Sequence, residues 1–213
     1  MKITVLCEGR TEYYFVQNVL DPYLPADVKA VPLPVSGVAF GNVPFEMVKH
    51  AAEDELTKRD APELVTTMVD LYELTGWPSI NTQPGETPLQ RVHRIENEAL
   101  KSFGDDRFLP YIQLYEYEAL LLADLDELKN WLDPLGVELL RDSLGDSWEP
   151  ENVNDGPETA PSKRIIHFDQ TYEYSKGSVG PNVARAISIP RLRNRCGHFD
   201  EWISALERKT SAA

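Results

Sequence analysis

Short apolar runs alternate with stretches of helical spacing from the first residues of the chain onward. Ile3–Leu6 reads as a strand running on to Glu8. Past Gly9 a helical pattern opens, with Thr11 as its expected cap, and continues through Val16, Val19 and Leu20 until Pro22 and Pro25. Val28–Val35 alternates as a second strand, which Pro32 and Pro34 assign to a sheet edge because proline cannot donate to a ladder. After a loop over Gly37–Pro44, the spacing of Phe45, Val48, Ala51, Ala52 and Leu56 predicts a helix. Leu64–Val69 then predicts a buried strand ending at Asp70. Gly76–Pro88 is too long for a plain connector and is expected at a rim or a partner contact. Leu89, Val92, Ile95, Ala99 and Phe103 give the next helix and Phe108–Leu114 the fourth strand. Ala119–Leu122 is a mostly buried helix after Tyr115-Glu116-Tyr117-Glu118.

This βαβαβαβα order predicts an α/β fold of Rossmann-like type, a mostly parallel sheet with helices on both faces. The remainder reads as a C-terminal helical extension. It holds short acidic helices within Asp124–Trp148, a loop over Glu149–Pro161 and apolar character again from Lys163 to Phe168. Helices at Val183–Ile187 and Phe199–Leu206 and a frayed tail from Lys209 to Ala213 complete it. A single domain over 1–213 is expected, with a core over about 1–125 and the extension over about 126–213.

Composition alters that picture little, since 42% apolar and 26% charged residues are ordinary for a globular domain. No run is long enough for a membrane span, and Met1-Lys2 leads into a strand rather than a signal peptide, so a cytoplasmic location is expected. Cys7 and Cys196 stand far apart and offer neither a disulfide framework nor a paired metal motif. The net charge of −14 changes more. A protein that binds nucleic acid alone usually carries a basic face. Three readings stay open: the acids hold divalent metal, a partner supplies the positive surface, or the chain does not touch nucleic acid.

Four acids stand just past predicted strand ends: Glu8, Asp70, Glu116 and Glu118. Singly, each reads as a helix cap or a loop solubiliser. Jointly, carboxylates converging at one sheet edge repel unless a hard cation such as Mg²⁺ or Mn²⁺ is present. Such a site can activate water and steady an in-line phosphoryl displacement. Glu12, one turn beyond Glu8, is either an outer ligand or a first-turn acid complementing the helix dipole. The turn-rich block Asn154–Arg164 delivers Glu158, Ser162, Lys163 and Arg164 together, and a Lys or Arg beside a metal cluster can stabilise a transferred phosphoryl group. Lys176 is a second candidate phosphate contact. Arg185, Arg191, Arg193 and Arg195 form a basic cluster read as a phosphate-facing patch, a solvated face or a docking surface. His198 is a candidate metal ligand or proton shuttle, or a packed histidine beside Phe199 and Trp202, whereas His50, His93 and His167 have no company that points to chemistry.

Glu8-Gly9-Arg10-Thr11-Glu12 after an apolar strand, with Asp70 after a later one, resembles the TOPRIM domain of topoisomerases, primases and the overcoming-lysogenization-defect nucleases. There a strand-end Glu and a downstream Asp-x-Asp hold Mg²⁺. The order of that block with Thr66–Tyr72, Pro110–Leu121, Asn154–Arg164 and Cys196–Trp202 is similar to a bacterial TOPRIM-like family, domain of unknown function 4276, over nearly the full chain. Its members resemble partners of ATPases in phage-defence operons. The resemblance implies a Mg²⁺- or Mn²⁺-dependent nuclease acting on DNA or RNA, working with an ATPase partner that supplies the nucleic-acid groove. Glu8 would be ligand or general acid/base, Asp70 and Glu116 or Glu118 metal ligands, and Lys163 a phosphate contact. Tyr72 stands at the second acidic position of Asp-x-Asp, so Glu116 or Glu118 fills the second metal position, or that position is absent. A non-catalytic subunit that regulates the ATPase and a small-molecule phosphoryl hydrolase are the alternatives.

Overall fold

The computed structural model describes residues 1–35, 43–153, 156 and 158–211. Its strands are β1 (Lys2–Cys7), β2 (Lys29–Pro34), β3 (Leu64–Asp70), β4 (Phe108–Leu109) and β5 (Ile112–Gln113). All pair in parallel, in the spatial order β2-β1-β3-β4, with β5 also on β3. From β1 the chain moves outward to β2, then returns past β1 to lay β3 on its other side. The direction of winding therefore reverses between β1 and β3, and open α/β sheets hold their ligands outside the strand ends at that point.

Helix α1 (Arg10–Phe15) passes through a π-helical turn (Val16–Leu20) into α2 (Asp21–Tyr23). Next come α3 (Phe45–Thr57), α4 (Pro88–Phe103), α5 (Glu118–Leu121), α6 (Leu125–Leu128) and α7 (Pro134–Leu144). A 3₁₀ turn (Pro150–Asn152) then precedes α8 (Pro161–Phe168), α9 (Tyr172–Ile187), α10 (Ile189–Arg195) and α11 (Gly197–Ser211). Alternate strand residues enter opposite cores. Ile3, Val5, Cys7, Leu64 and Met68 pack in one with α1, α9 and α11, while Leu6, Val65 and Val69 pack in the other with α3 and α4. Helices thus cover both faces, as the strand–helix order requires. Those beyond residue 125 are no appendage: Leu128, Ile165, Val183 and Phe199 share the core of β1. Among the described residues no helix is long and apolar enough to cross a membrane.

Several boundaries differ from the sequence reading, each for a local reason. Gly9, not Thr11, caps α1, and Thr11 lies inside the helix. The fourth strand breaks at Pro110-Tyr111, where β3 side chains stand in for the ladder. Tyr111 N–H donates to Thr67 Oγ1 at 2.7 Å, Thr67 O–H donates to the Tyr111 carbonyl at 2.7 Å, and Thr66 O–H donates to the Leu109 carbonyl at 2.6 Å. α9 runs the length of Tyr172–Ile187 rather than Val183–Ile187 alone, through Gly177, Gly180 and Pro181, residues that lower helix propensity. The glycine has a packing reason: a Cβ on Gly180 would lie 3.0 Å from Thr11 Cγ2 and 3.2 Å from Tyr117 Cε1. α11 extends through the predicted frayed tail to Ser211, Ala212 and Ala213 lying outside the described residues. So do residues 37–42 of the predicted Gly37–Pro44 loop.

The long loop before α4 is tied back onto its own fold. Buried Trp77 donates from Nε1 to the Val43 carbonyl at 2.9 Å, and Arg94 grips Glu86 and the carbonyls of Ser79 and Asn81. Thr87 and Gln90 form a reciprocal capping box at the start of α4, and Gly104, in the left-handed region at φ 76°, ends it.

Candidate functional site

β1 ends at Cys7, yet the ladder continues one step, with Glu8 N–H donating to the Met68 carbonyl at 3.2 Å. The Glu8 side chain then crosses to the next strand end, where Oε2 accepts the backbone N–H of Asp70 at 2.9 Å. Gly9 follows for a steric reason: a Cβ there would lie 2.6 Å from Glu12 Oε2. Its absence lets the Glu12 carboxylate fold back over the start of α1, in the manner of a capping glutamate at the third helical position.

The pair Glu116 and Glu118 reaches the same edge through a strained turn. Tyr115 adopts φ 62°, a left-handed conformation rare for an aromatic residue, and its carbonyl accepts the Tyr72 N–H at 2.7 Å. Both Glu116 oxygens are held by Ser162 at the start of α8, from the backbone N–H at 2.8 Å and the hydroxyl at 3.0 Å. Glu118 accepts the Tyr172 hydroxyl at 3.2 Å, and Lys176 Nζ stands 3.6 Å from Glu118 Oε1.

These acids act on one another's proton affinity. Burial raises the Asp70 carboxyl well above its ordinary range, and Glu8, Glu12, Glu118 and Glu116 each raise it further. Glu12, 6% exposed, is pushed up to about 8, first by burial and then by Glu8 and Glu118, against backbone N–H groups at Glu12 and Gly9. Glu8 is raised by burial, opposed by the Asp70 N–H and reinforced by Glu116 and Glu73. Glu118 is raised by burial, opposed by Lys176 and reinforced by Glu116. Two buried polar atoms, Asp70 Oδ1 and the Tyr117 hydroxyl, have no hydrogen-bond partner among the described residues.

The donor set suits a hard, oxygen-seeking divalent cation, and the orphaned Asp70 oxygen is a vacant acceptor in its midst. The acids are nonetheless spread more widely than a closed cation site. Among the described residues, the trio of His, Asp or Glu whose ligating atoms all lie within 4.8 Å of one another is His93, His198 and Glu201.

The other sequence candidates divide. Lys176, the minor choice, lies at the site. Lys163 is exposed on α8, one residue from the Ser162 that holds Glu116. Arg164 is turned to the Thr159 carbonyl at 3.0 Å and lines a cavity of about 360 Å³ with Trp148 and Asn152. Glu158 is exposed, and Asn154, Asp155 and Pro157 of its block lie outside the described residues. Tyr72 is half-buried just past β3. His198 belongs elsewhere: buried against Glu96, Glu151 and Glu201, it rises to about 9 although burial alone lowers it. His93, without chemical company in the sequence, faces it across a ring separation of 5.2 Å. The basic cluster is largely engaged within the fold, Arg191 on Asp124, Arg193 on Asp200 and Glu207, and Arg195 over Trp148, although Arg185 and Arg191 are exposed.

Sequence reasoning passed over Tyr117, Tyr172 and Glu73. Tyr117 lay in view between the two glutamates, but the close packing of its ring against α9 at Gly180 carries no local signal. Tyr172 and Glu73 carry no local signal.

Comparison with curated proteins and with solved structures finds no match to the chain. The family model described as Domain of unknown function (DUF4276) matches residues 7–207, and the chain belongs to that family.

Proposed function

We propose that the chain is a TOPRIM-like, Mg²⁺- or Mn²⁺-dependent nuclease, the effector subunit of an ATPase-linked phage-defence complex. One observation carries the reading: at the reversal point of the sheet, burial raises the proton affinity of Glu8, Glu12, Asp70 and Glu118, the charge of at least one neighbouring acid raises each further, and Lys176 is a cation set against them. To hold the ion, Glu8, Asp70, Glu116 and Glu118 would draw together from the wider spacing they have here, and the ion when bound would supply a polarised phosphoryl oxygen and a more acidic water.

The chain's own residues do the rest. Ser162 and the Asp70 N–H orient the Glu116 and Glu8 carboxylates. Glu12 keeps a proton at neutral pH and so lowers the repulsion within the set. Lys176, with Lys163 near the rim, is the phosphate contact. A chain of net charge −14 needs positive surface from a partner to hold nucleic acid, and the ATPase is assigned that part.

The second reading, a non-catalytic subunit, draws on the wide spacing of the strand-end acids and on the full engagement of Glu116 by Ser162. Incubating wild type and Glu8→Gln with DNA, RNA and p-nitrophenyl phosphate in Mg²⁺ or Mn²⁺ separates the readings. Cleavage of nucleic acid by wild type and not by Glu8→Gln supports the nuclease, and cleavage of the small ester alone supports a phosphatase. Equal cleavage by both proteins removes Glu8 from catalysis, and none in any arm, with the ATPase partner added, leaves the regulatory subunit.

A further inference from the structure

Two helices turn the same four-residue pattern toward each other: His93-Arg94-Ile95-Glu96 on α4 and His198-Phe199-Asp200-Glu201 on α11. α4 belongs to one core and α11 to the other, and they meet around the β4–β5 edge of the sheet. His93 Nε2 lies 2.7 Å from Glu201 Oε2, and His198 Nδ1 lies 3.4 Å from the same oxygen. The ligating atoms of the three residues all fall within 4.8 Å of one another.

The second nitrogen of His198, Nε2, is 3.0 Å from Glu96 Oε1, which itself accepts the Ile112 N–H at 2.8 Å. That carboxylate, fixed on β5, orients the imidazole from behind and leaves Nδ1 pointing at Glu201. Tyr111 stacks on His198 at 5.2 Å, and Trp202 on Tyr111 at 4.3 Å, so the ring has little freedom to turn. Burial is graded across the cluster: the His198 side chain is 4% exposed, those of His93 and Glu201 39% and 57%. One side is walled and the other faces solvent.

We propose that His93 Nε2, His198 Nδ1 and Glu201 Oε2 bind a divalent transition-metal ion of the Zn²⁺ class, with water as the fourth ligand and the His198 Nδ1 proton released to solvent on binding. Two imidazoles and one carboxylate match the borderline softness of Zn²⁺, whereas Mg²⁺ requires an oxygen shell. A carboxylate on the far nitrogen of a ligating histidine is the usual outer support of such sites, and Glu96 fills that place. Because the ligands come from α4 and α11, the ion ties the C-terminal helix to the opposite face of the sheet. This site is independent of the strand-end acids.

The test is calorimetric titration of chelator-stripped protein with ZnCl₂, and separately with MgCl₂, on wild type, His93→Ala, Glu201→Gln, Glu96→Gln and Glu8→Gln. His93 and Glu201 are open to solvent, so their variants are expected to keep the wild-type circular dichroism. Wild type and Glu8→Gln should bind one Zn²⁺ and melt at higher temperature with it. His93→Ala and Glu201→Gln should lose about 100-fold or more in Zn²⁺ affinity, and Glu96→Gln about 10- to 100-fold. Absence of Zn²⁺ binding in wild type overturns the site. So does equal affinity in wild type and His93→Ala, or binding lost in Glu8→Gln and kept in His93→Ala.

Discussion

The Asp70 N–H donates to Glu8 Oε2 at 2.9 Å, so the acid that ends β1 is anchored to the backbone that ends β3, across the reversal point of the sheet. One Glu8 oxygen is thereby fixed, while Asp70 Oδ1 stays buried without a hydrogen-bond partner among the described residues. The arrangement gathers negative charge at the cost of native-state stability, and several measurable consequences come from that cost.

Stability should fall as pH rises from about 5 to about 8 in a chelating buffer. Glu12 titrates near 4.5 when solvated and near 8 in the fold, so between those values the native state binds more protons than the unfolded chain. Raising the pH through the window then destabilises it, by at most about 1.4 kcal/mol per pH unit for one proton. Asp70 and Glu118 are shifted upward too and act in the same direction. Urea midpoints measured across the range check this, and Glu12→Gln should flatten the slope.

Ser162→Ala removes one of the two donors to Glu116, in a residue 1% exposed. A hydrogen bond to a charged acceptor contributes about 2 kcal/mol, and denaturant unfolding should show a loss of that order. Activity should fall with it, because Glu116 keeps only the Ser162 backbone N–H and is less firmly oriented.

Glu73→Asn should stabilise the protein. Glu73 sits at φ 58°, where asparagine is better tolerated, and its charge adds to the burden on Glu8. The expected gain is up to about 1 kcal/mol, read from the unfolding midpoint.

Lys176→Met removes the cation beside Glu118. Its side chain is one-third exposed, so the stability change should stay within about 1 kcal/mol. Phosphodiester turnover should fall by about 100-fold if Lys176 meets the developing charge, and kinetics on the variant decide this.

The strand–helix rhythm, the edge position of β2 and the strand-end acids were legible because each depends on neighbours in sequence. Pro32 and Pro34 sit in β2, the edge strand, and Glu8 and Asp70 fall at the ends of β1 and β3. What escaped was set by distant packing. The length of α9 runs against Gly180 and Pro181, which are accommodated because α1 and Tyr117 close over them. Ser162 reaches Glu116, and His93 reaches His198 and Glu201, across 46 and 108 residues of chain at the widest. No local pattern marks those pairings.

The most direct test of the strand-end site is Mg²⁺ binding by titration calorimetry on wild type and Asp70→Asn. Mg²⁺ is the chosen probe because it seeks oxygen ligands and discriminates against the histidine cluster. Saturable binding to wild type that Asp70→Asn abolishes is the predicted result. Binding of equal affinity in both proteins, or none in wild type, would contradict the assignment of these acids to a cation.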